Sequence, residues 1–598
     1  MPHEKVRSFA ARRLETRMPT AFPSRATITI LDALHTAAAR TPQAVALEHD
    51  GRTCTYAELS TTVSTLARGL HGLGFGARAR IALYADKSIR MVGMLLAILR
   101  AGCIAVPLNP RLKPAQVHHA LRNCAAAGLV VNALRRDELV RHAATAQARV
   151  LLIDLVRPET DVALARNGAK RRAGHRADLH WDDCLAAAGD AARGPRTDTD
   201  PALLIYTSGS TGLPKGVVVS HRNLVVGAES VGDYLQLRDD DVILGLLPMS
   251  FDAGLSQLTT ALIAGARLSL HNYASARFVP ALCARVGATT ITAIPPLWSQ
   301  LAAVAWGDEA LAVRSFATTG GHMPAALLKR LRGTFARARP FLMYGLTEAF
   351  RSTYLNPDEI DRRPDSIGKA IPNAEILVLR PNGSLCAPGE AGELVHRGPL
   401  VAQGYWNDKA RTRERFRPLP KAIAAGTLPE YAVWSGDIVR MDEDGFLYFI
   451  GRRDELMKIS GYRVSPTEIE KAVMRVDGVH EAVAFGIPDA ALGTAPVVAL
   501  VPKSATFDTA AALVRLARDL PAYMVPTLSV CDALPRTANG KLDRDAARQR
   551  YLSAQSAGRD SDRPSDRHSD GHSDRHSDSD SSSDSHSDSE STSAPFSA

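Results

Sequence analysis

Apolar residues along the chain fall into short runs separated by segments with helical spacing. Arg80-Ile81-Ala82-Leu83-Tyr84, Ala202-Leu203-Leu204-Ile205 and Ile376-Leu377-Val378-Leu379 have strand length, while Leu66–Leu73 and Met91–Leu99 read as helices. This alternation, sustained from Thr27 to Arg550, predicts α/β layers. A short strand pattern, Gly445–Ile450, leads into Gly451-Arg452-Arg453-Asp454. Ser465-Pro466-Thr467-Glu468-Ile469-Glu470 then has the proline and early acids of a helix start. A boundary here leaves a small C-terminal domain of roughly 100 residues. The predicted fold is α/β, with a large N-terminal domain of layered sheets and helices and a small α+β C-terminal domain joined by a hinge. The expected divisions are a loosely ordered leader 1–27, the large domain 28–453, a mobile domain 454–550 and a disordered tail 551–598. Residues 156–200, polar and rich in Arg and Ala, read as a surface excursion, and no internal repeat is visible.

Composition narrows the class. The chain has 598 residues, 45% apolar and 23% charged, which excludes a fully disordered, fibrous or small disulfide-stapled protein. The net charge of +9 is unevenly placed, since the segment from Arg559 onward carries −6 and the remainder +15. A basic body suits anionic ligands such as nucleotides or CoA, but no basic stripe interleaved with aromatics points to nucleic acid. Seven scattered cysteines, none at metal-ligand spacing, read as reduced thiols in a cytoplasmic protein. The most apolar early stretch, Met91–Leu108, contains Arg100 and Pro107, so no membrane span is expected. No apolar segment follows the basic N-terminus, so no secretory signal is expected; its arginines leave an organelle transit peptide as an alternative, against which Glu4 and Glu15 count. The Ser/Asp/His/Arg repeats after Ser553 are too polar to bury a core, and their four histidines read as solvated rather than metal-binding.

The strongest chemical signal is Tyr206-Thr207-Ser208-Gly209-Ser210-Thr211-Gly212-Leu213-Pro214-Lys215-Gly216, a loop directly after a strand. Its glycines allow close backbone approach to a ligand, its hydroxyls and N–H groups offer donors to phosphate oxygens, and Lys215 adds positive charge. The residue order differs from the P-loop of common NTPases.

This segment resembles the phosphate-binding signature of the adenylate-forming superfamily, which includes AMP-forming acyl-CoA synthetases, nonribosomal peptide synthetase adenylation domains and firefly luciferase. Five further motifs follow in that family's order. They are Tyr344-Gly345-Leu346-Thr347-Glu348; Gly392-Glu393-Leu394 leading to Gly404-Tyr405-Trp406; Trp434-Ser435-Gly436-Asp437; Gly451–Asp454 through Gly461-Tyr462-Arg463; and Pro535–Lys541. The resemblance covers about Leu31–Ala547. Met343–Ala374 narrows it to the exosortase A-associated group of AMP-forming acyl-CoA ligases.

The resemblance implies a role for each matching residue. Thr207, Ser208, Gly209, Ser210, Thr211, Gly212 and Lys215 would hold phosphates. Tyr344 would stack on adenine, with Gly320 and Gly321 letting the backbone pass the base. Thr347 would donate to the α-phosphate and Glu348 would hold Mg²⁺. Asp437 would accept the ribose hydroxyls, and Arg452 would contact ribose or phosphate, while its neighbour Arg453 is expected to be solvated. Lys541 would bridge the substrate carboxylate and α-phosphate, stabilising charge as it develops. Asp454 falls on the hinge about which the small domain rotates between two half-reactions. After rotation Lys458 and Gly461 would face the site, and Arg463 would contact phosphate before it.

The implied activity is that of an AMP-forming ligase. It joins a carboxylic acid and ATP to give acyl-AMP, then transfers the acyl group to a thiol, either CoA or carrier-protein phosphopantetheine. No carrier domain is legible after Lys541, so a carrier is expected to be a separate protein. The alternatives are an adenylating enzyme with a non-thioester second step, or an ordinary fatty or aryl acyl-CoA synthetase. Phe251-Asp252 matches the amino-acid-activating pattern, in which Asp252 pairs with a substrate ammonium. The competing reading makes Asp252 the cap of the helix Leu255–Ile263. Arg351 either pairs with a second substrate carboxylate or salt-bridges a structural acid such as Asp361. Pro295–Trp298 and Val225–Glu229 are further candidates for the wall of the acid pocket.

Overall fold

The structure, a computed structural model, describes residues 28–561 except 133–134, 137–138, 140–148, 153–178, 188, 190–193, 195–196, 208–213, 425, 454, 456, 460–461, 490–492 and 538–539. The expectations for the leader, for Ser208–Gly212, for the hinge Asp454, for Gly461 and for the tail beyond Ser561 lie outside the described residues.

Two large sheets form the scaffold. The first has nine strands, and its centre is parallel: Arg267–Leu270, Val242–Gly245, Thr290–Ala293, Ser315–Thr318 and Arg339–Tyr344 lie side by side in that order. The second has seven strands and carries Arg80–Tyr84 between Gly128–Val131 and Ile104–Pro107, all parallel. Its edge is a hairpin in which Pro201–Thr207 pairs antiparallel with Lys215–Ser220. A smaller antiparallel sheet follows, built from Glu375–Leu379, Ala391–Arg397, Phe416–Pro418, Tyr431–Met441 and Leu447–Arg452. The small domain contributes a ribbon, Met457–Ile459 with Tyr462–Val464, and a three-stranded sheet of Val479–Asp489, Gly493–Pro502 and Thr527–Val530. Its own core gathers Ile459, Ile469, Val473, Val498, Leu500 and Leu516. The predicted large-plus-small α/β arrangement is therefore present.

Local chemistry explains the helices. Thr55 accepts from the Glu58 N–H while Glu58 bonds back to the Thr55 N–H, so the helix Tyr56–Gly72 starts ten residues before the stretch recognised by spacing alone. The Ile89–Arg100 helix is buried from Met91 to Leu99, which accounts for its apolar run without a membrane. Among the described residues no helix is long and apolar enough to cross a membrane.

Two expectations are corrected. Part of the supposed surface excursion is structural: Leu179–His180 adds an edge strand, and the helix Trp181–Ala186 buries Trp181 and Cys184. A Cβ on Gly69 would lie 1.7 Å from the Cys184 carbonyl oxygen, so the closeness of this packing requires glycine there. Gly445 turns with φ +83°, and the strand after it runs Leu447–Arg452, so the predicted strand continues through Gly451 and Arg452. The last described helix, Arg544–Ser561, carries regular structure eleven residues into the segment expected to be disordered. The Ala, Gln and Arg residues there are good helix formers.

Candidate active site

The sites named by sequence converge on a cleft at the carboxyl ends of the parallel strands of the nine-stranded sheet, the side on which open α/β sheets bind ligands. Tyr344 ends one of these strands, and Thr347–Ala349 forms a single 3₁₀ turn just beyond it. Thr207 and Lys215 are cross-strand partners at the end of the edge hairpin. The buried Thr207 hydroxyl oxygen has no hydrogen-bond partner, as expected of a donor kept for a ligand.

Glu348 is buried at the centre of a small network. Lys215 Nζ lies 3.4 Å from Glu348 Oε1 and donates to the Tyr405 hydroxyl at 2.7 Å, and that hydroxyl donates to Glu348. Burial alone raises the Glu348 pKa, but Lys215, Tyr405 and Arg415 outweigh it and hold the carboxylate below its usual value. Burial in turn lowers the Lys215 pKa, with Glu348 opposing. Lys215 is thus neutralised by Glu348 rather than standing as a free phosphate-binding charge. Sequence reading assigned Tyr405 and Arg415 no role. Tyr405 lay inside a recognised motif, whereas Arg415 had no local signal.

The carboxylate predicted to receive the ribose is already engaged. The Tyr344 hydroxyl donates to Asp437, and Arg452 sits 3.2 Å from the other oxygen. Burial first, then Asp437, pushes the Tyr344 pKa well above its usual value. The Tyr344 hydroxyl is therefore held by the ribose-binding candidate. Arg453, expected to be merely solvated, pairs with Glu393 at 2.9 Å.

Lys541 reaches this cleft from the small domain. A Cβ on Gly320 would lie 3.5 Å from Lys541 Cε, which is ordinary contact. Gly320 is required for its φ of +77° rather than for space, and Gly321 likewise has room. Burial lowers the Lys541 pKa, while Asp252 and Asp437 pull it up and Arg452 and Arg351 press it down. Lys541 is exposed. Lys458 and Arg463 lie opposite each other in the ribbon of the small domain.

Asp252 is 4% exposed and opens the helix Asp252–Ala264. The N-cap position is Phe251, and Asp252 at the first helical position still satisfies one orphan N–H of the helix start. Its carboxylate accepts from Ala253 N–H at 2.7 Å and from the Thr347 hydroxyl at 3.2 Å. Arg351 Nη1 stands 3.9 Å away. Asp361 pairs instead with Arg332 at 2.9 Å, which identifies Asp252 as the structural acid of Arg351. Trp298 is fully buried and donates to the Ala317 carbonyl at 3.0 Å, a core role rather than a pocket wall. Of the long helix His221–Tyr234, Val231 lines the cavity beside Arg351 rather than the turn Val225–Glu229.

These residues define a nucleotide-using enzyme whose lysine from a small domain comes within electrostatic reach of two carboxylates of a large one. The chain matches the AMP-binding enzyme family over residues 34–406 and the AMP-binding enzyme C-terminal domain over 468–541. Tyrocidine synthase 3 of Brevibacillus parabrevis is 28% identical over 87% of this chain, which spans 8% of that protein's length. Indoleacetate–CoA ligase of Aromatoleum aromaticum is 30% identical over 85% of this chain and 95% of its own. O-succinylbenzoate coenzyme A synthetase of Bacillus subtilis, solved with ATP and magnesium ion, aligns with TM-score 0.72 and 25% identity over 86% of this chain and 99% of its own. The chain belongs to the AMP-binding enzyme family.

Proposed function

We propose that the protein activates a carboxylic acid with ATP and passes the acyl group to a thiol. In the first step the carboxylate oxygen attacks the α-phosphorus, forming acyl-AMP and releasing pyrophosphate. In the second a thiolate attacks the acyl carbon, forming a thioester and releasing AMP. The observation that carries this reading is Lys541, a cation from the small domain whose side chain comes to Gly320 of the large one, within electrostatic reach of Asp252 and Asp437. There its ammonium stabilises the charge that develops as carboxylate meets phosphate. Thr347 donates its one O–H to Asp252 here, and turning that O–H from Asp252 to the substrate lets it donate to the α-phosphate. Asp437 and Arg452 bind the ribose end once Tyr344 releases the carboxylate to take the base.

Glu348 is the residue that would hold magnesium. Among the described residues there is no group of three or more His, Cys, Asp or Glu arranged to hold a metal ion. None is needed, because magnesium is usually bound by one or two carboxylates together with substrate phosphates. A buried carboxylate already kept ionised by Lys215 suits that task, and the bound ion supplies charge neutralisation on the phosphates.

For the second step, CoA and the phosphopantetheine of a separate carrier protein are the candidate acceptors, with Lys458 and Gly461 facing the site after rotation about Asp454. The test supplies ATP, acid and either thiol and follows AMP release and thioester mass together. Thioester formed in step with AMP supports the proposal. Acyl-AMP that accumulates with neither thiol consumed would refute the second step while leaving the first intact. Lys458→Ala is expected to slow thioester formation more than adenylation.

A further inference from the structure

A small cavity opens behind Asp252, between the helices His221–Tyr234 and Asp252–Ala264 and the strands Val242–Gly245 and Thr290–Ala293. Ser256, Gln257, Thr260, Thr292, Met343 and Arg351 contribute to its wall. It adjoins the reacting end of the cleft, because Arg351 faces Asp252 and Asp252 holds Thr347.

Two buried polar atoms of this wall have no partner. Arg351 is 2% exposed, yet its Nε has no hydrogen bond, and Nη1 makes one long bond of 3.3 Å to the Phe350 carbonyl. Gln257 is 4% exposed; its Nε2 donates to the Leu244 carbonyl at 2.9 Å, but its Oε1 has none. Buried donors and acceptors of this kind are uncommon in folded proteins. A strained turn sets Arg351 in place. Phe350 has φ +58° and ψ −57°, and Arg351 N–H closes a three-residue turn onto the Ala349 carbonyl at 2.6 Å. Such γ-turns are rare, and a bulky residue tolerates them only where the surroundings hold it.

Charge decides what the cavity receives. Arg351 is the one charged side chain among the described residues that line it. Its charge is balanced by Asp252, and the charge of Lys541 is left for the substrate carboxylate. A further ammonium on the substrate would leave the group with an excess positive charge, and a further carboxylate with an excess negative one. An all-hydrocarbon chain would leave the Arg351 Nε–H unmatched, at the cost of a buried hydrogen-bonding group.

We propose that the acid activated here is a monocarboxylate whose chain carries an uncharged hydrogen-bonding oxygen, such as a ketone, amide or hydroxyl, which accepts from Arg351 inside this cavity. The proposal rests on the adenylation reading and names the substrate class of that same site. Asp252 is then the counter-ion of Arg351 rather than the receiver of a substrate ammonium.

The test is ATP–pyrophosphate exchange by the full chain with matched acids of two chain lengths. Each set holds the plain alkanoate, its keto analogue, the dicarboxylate and the terminal amino acid. The keto acid is expected to give kcat/KM about tenfold or more above each partner, the scale set by one buried hydrogen bond to a charged group. The Asp252→Asn/Arg351→Met double variant, which keeps the charge balance, is expected to lose that preference. Its folding is checked by the thermal shift that ATP produces. Equal or better exchange with the alkanoate, diacid or amino acid would overturn the proposal, as would a preference that survives in the double variant. If that variant does not fold, the ranking by the wild-type protein decides alone. No exchange with any acid while ATP still binds would also overturn it. Loss of ATP binding as well would overturn the adenylation reading beneath it.

Discussion

Breaking the pair Asp252–Arg351 isolates the interaction on which the acid pocket depends. Both side chains are almost fully buried, and their charged atoms stand 3.9 Å apart. At an effective dielectric of about 20, two unit charges at that separation attract by about 4 kcal/mol, and desolvation offsets much of this. Asp252→Asn removes the attraction but leaves Arg351 in its cavity, so the loss is expected to be about 3–5 kcal/mol, as for other buried pairs broken on one side. Arg351→Met is expected to cost less, because Asp252 keeps the Ala253 N–H and the Thr347 hydroxyl. The double variant removes both charges and is expected to be more stable than the sum of the singles predicts, by about 2 kcal/mol. Urea midpoints for the four proteins close the cycle. Additivity within about 0.5 kcal/mol would mean the two groups do not interact, and the charge balance argued for the cavity would fail with it.

Two other perturbations follow from buried groups. Tyr405→Phe removes the hydroxyl that bonds Glu348 and receives Lys215, and is expected to destabilise the large domain by about 1.5–3 kcal/mol and to slow exchange. The check is a denaturation midpoint beside an exchange rate. His221 and His396 are fully buried, and burial lowers their pKa values to about 4 and about 3. The unfolded chain therefore takes up protons first as pH falls below about 6.5, so stability is intact above that pH and declines below it. At pH 5 the two groups together remove about 4 kcal/mol relative to pH 7. Urea midpoints from pH 7 to pH 5 measure this, and the His221→Gln/His396→Gln variant is expected to give a flatter profile. A wild-type profile just as flat would contradict it.

Much of the fold was legible because its elements announce themselves locally. The runs at Arg80–Tyr84 and Ile376–Leu379, the Ser465-Pro466 start and the buried Met91–Leu99 helix needed only periodicity and caps. The Trp181–Ala186 helix was missed because a polar, Arg-rich neighbourhood masked the few apolar residues that anchor it. At the site, the motifs brought Tyr344, Thr347, Glu348, Asp437, Arg452 and Lys541 into one cleft. What no motif states is who neutralises whom. Lys215 answers Glu348, Arg453 answers Glu393 and Arg351 answers Asp252, and each pairing joins residues far apart in sequence. The turn at Phe350 was equally hidden, since a non-glycine residue at positive φ has no sequence signature.

The central claim is that Lys541 serves carboxylate activation from within the large-domain cleft. ATP–pyrophosphate exchange by wild type and Lys541→Ala tests it most directly, because exchange reports acyl-AMP formation without knowledge of the thiol. Exchange that falls by about 10²–10³ in the variant, with ATP binding retained, is the predicted result. Exchange that is unchanged would show that the lysine within electrostatic reach of Asp252 and Asp437 takes no part in the chemistry.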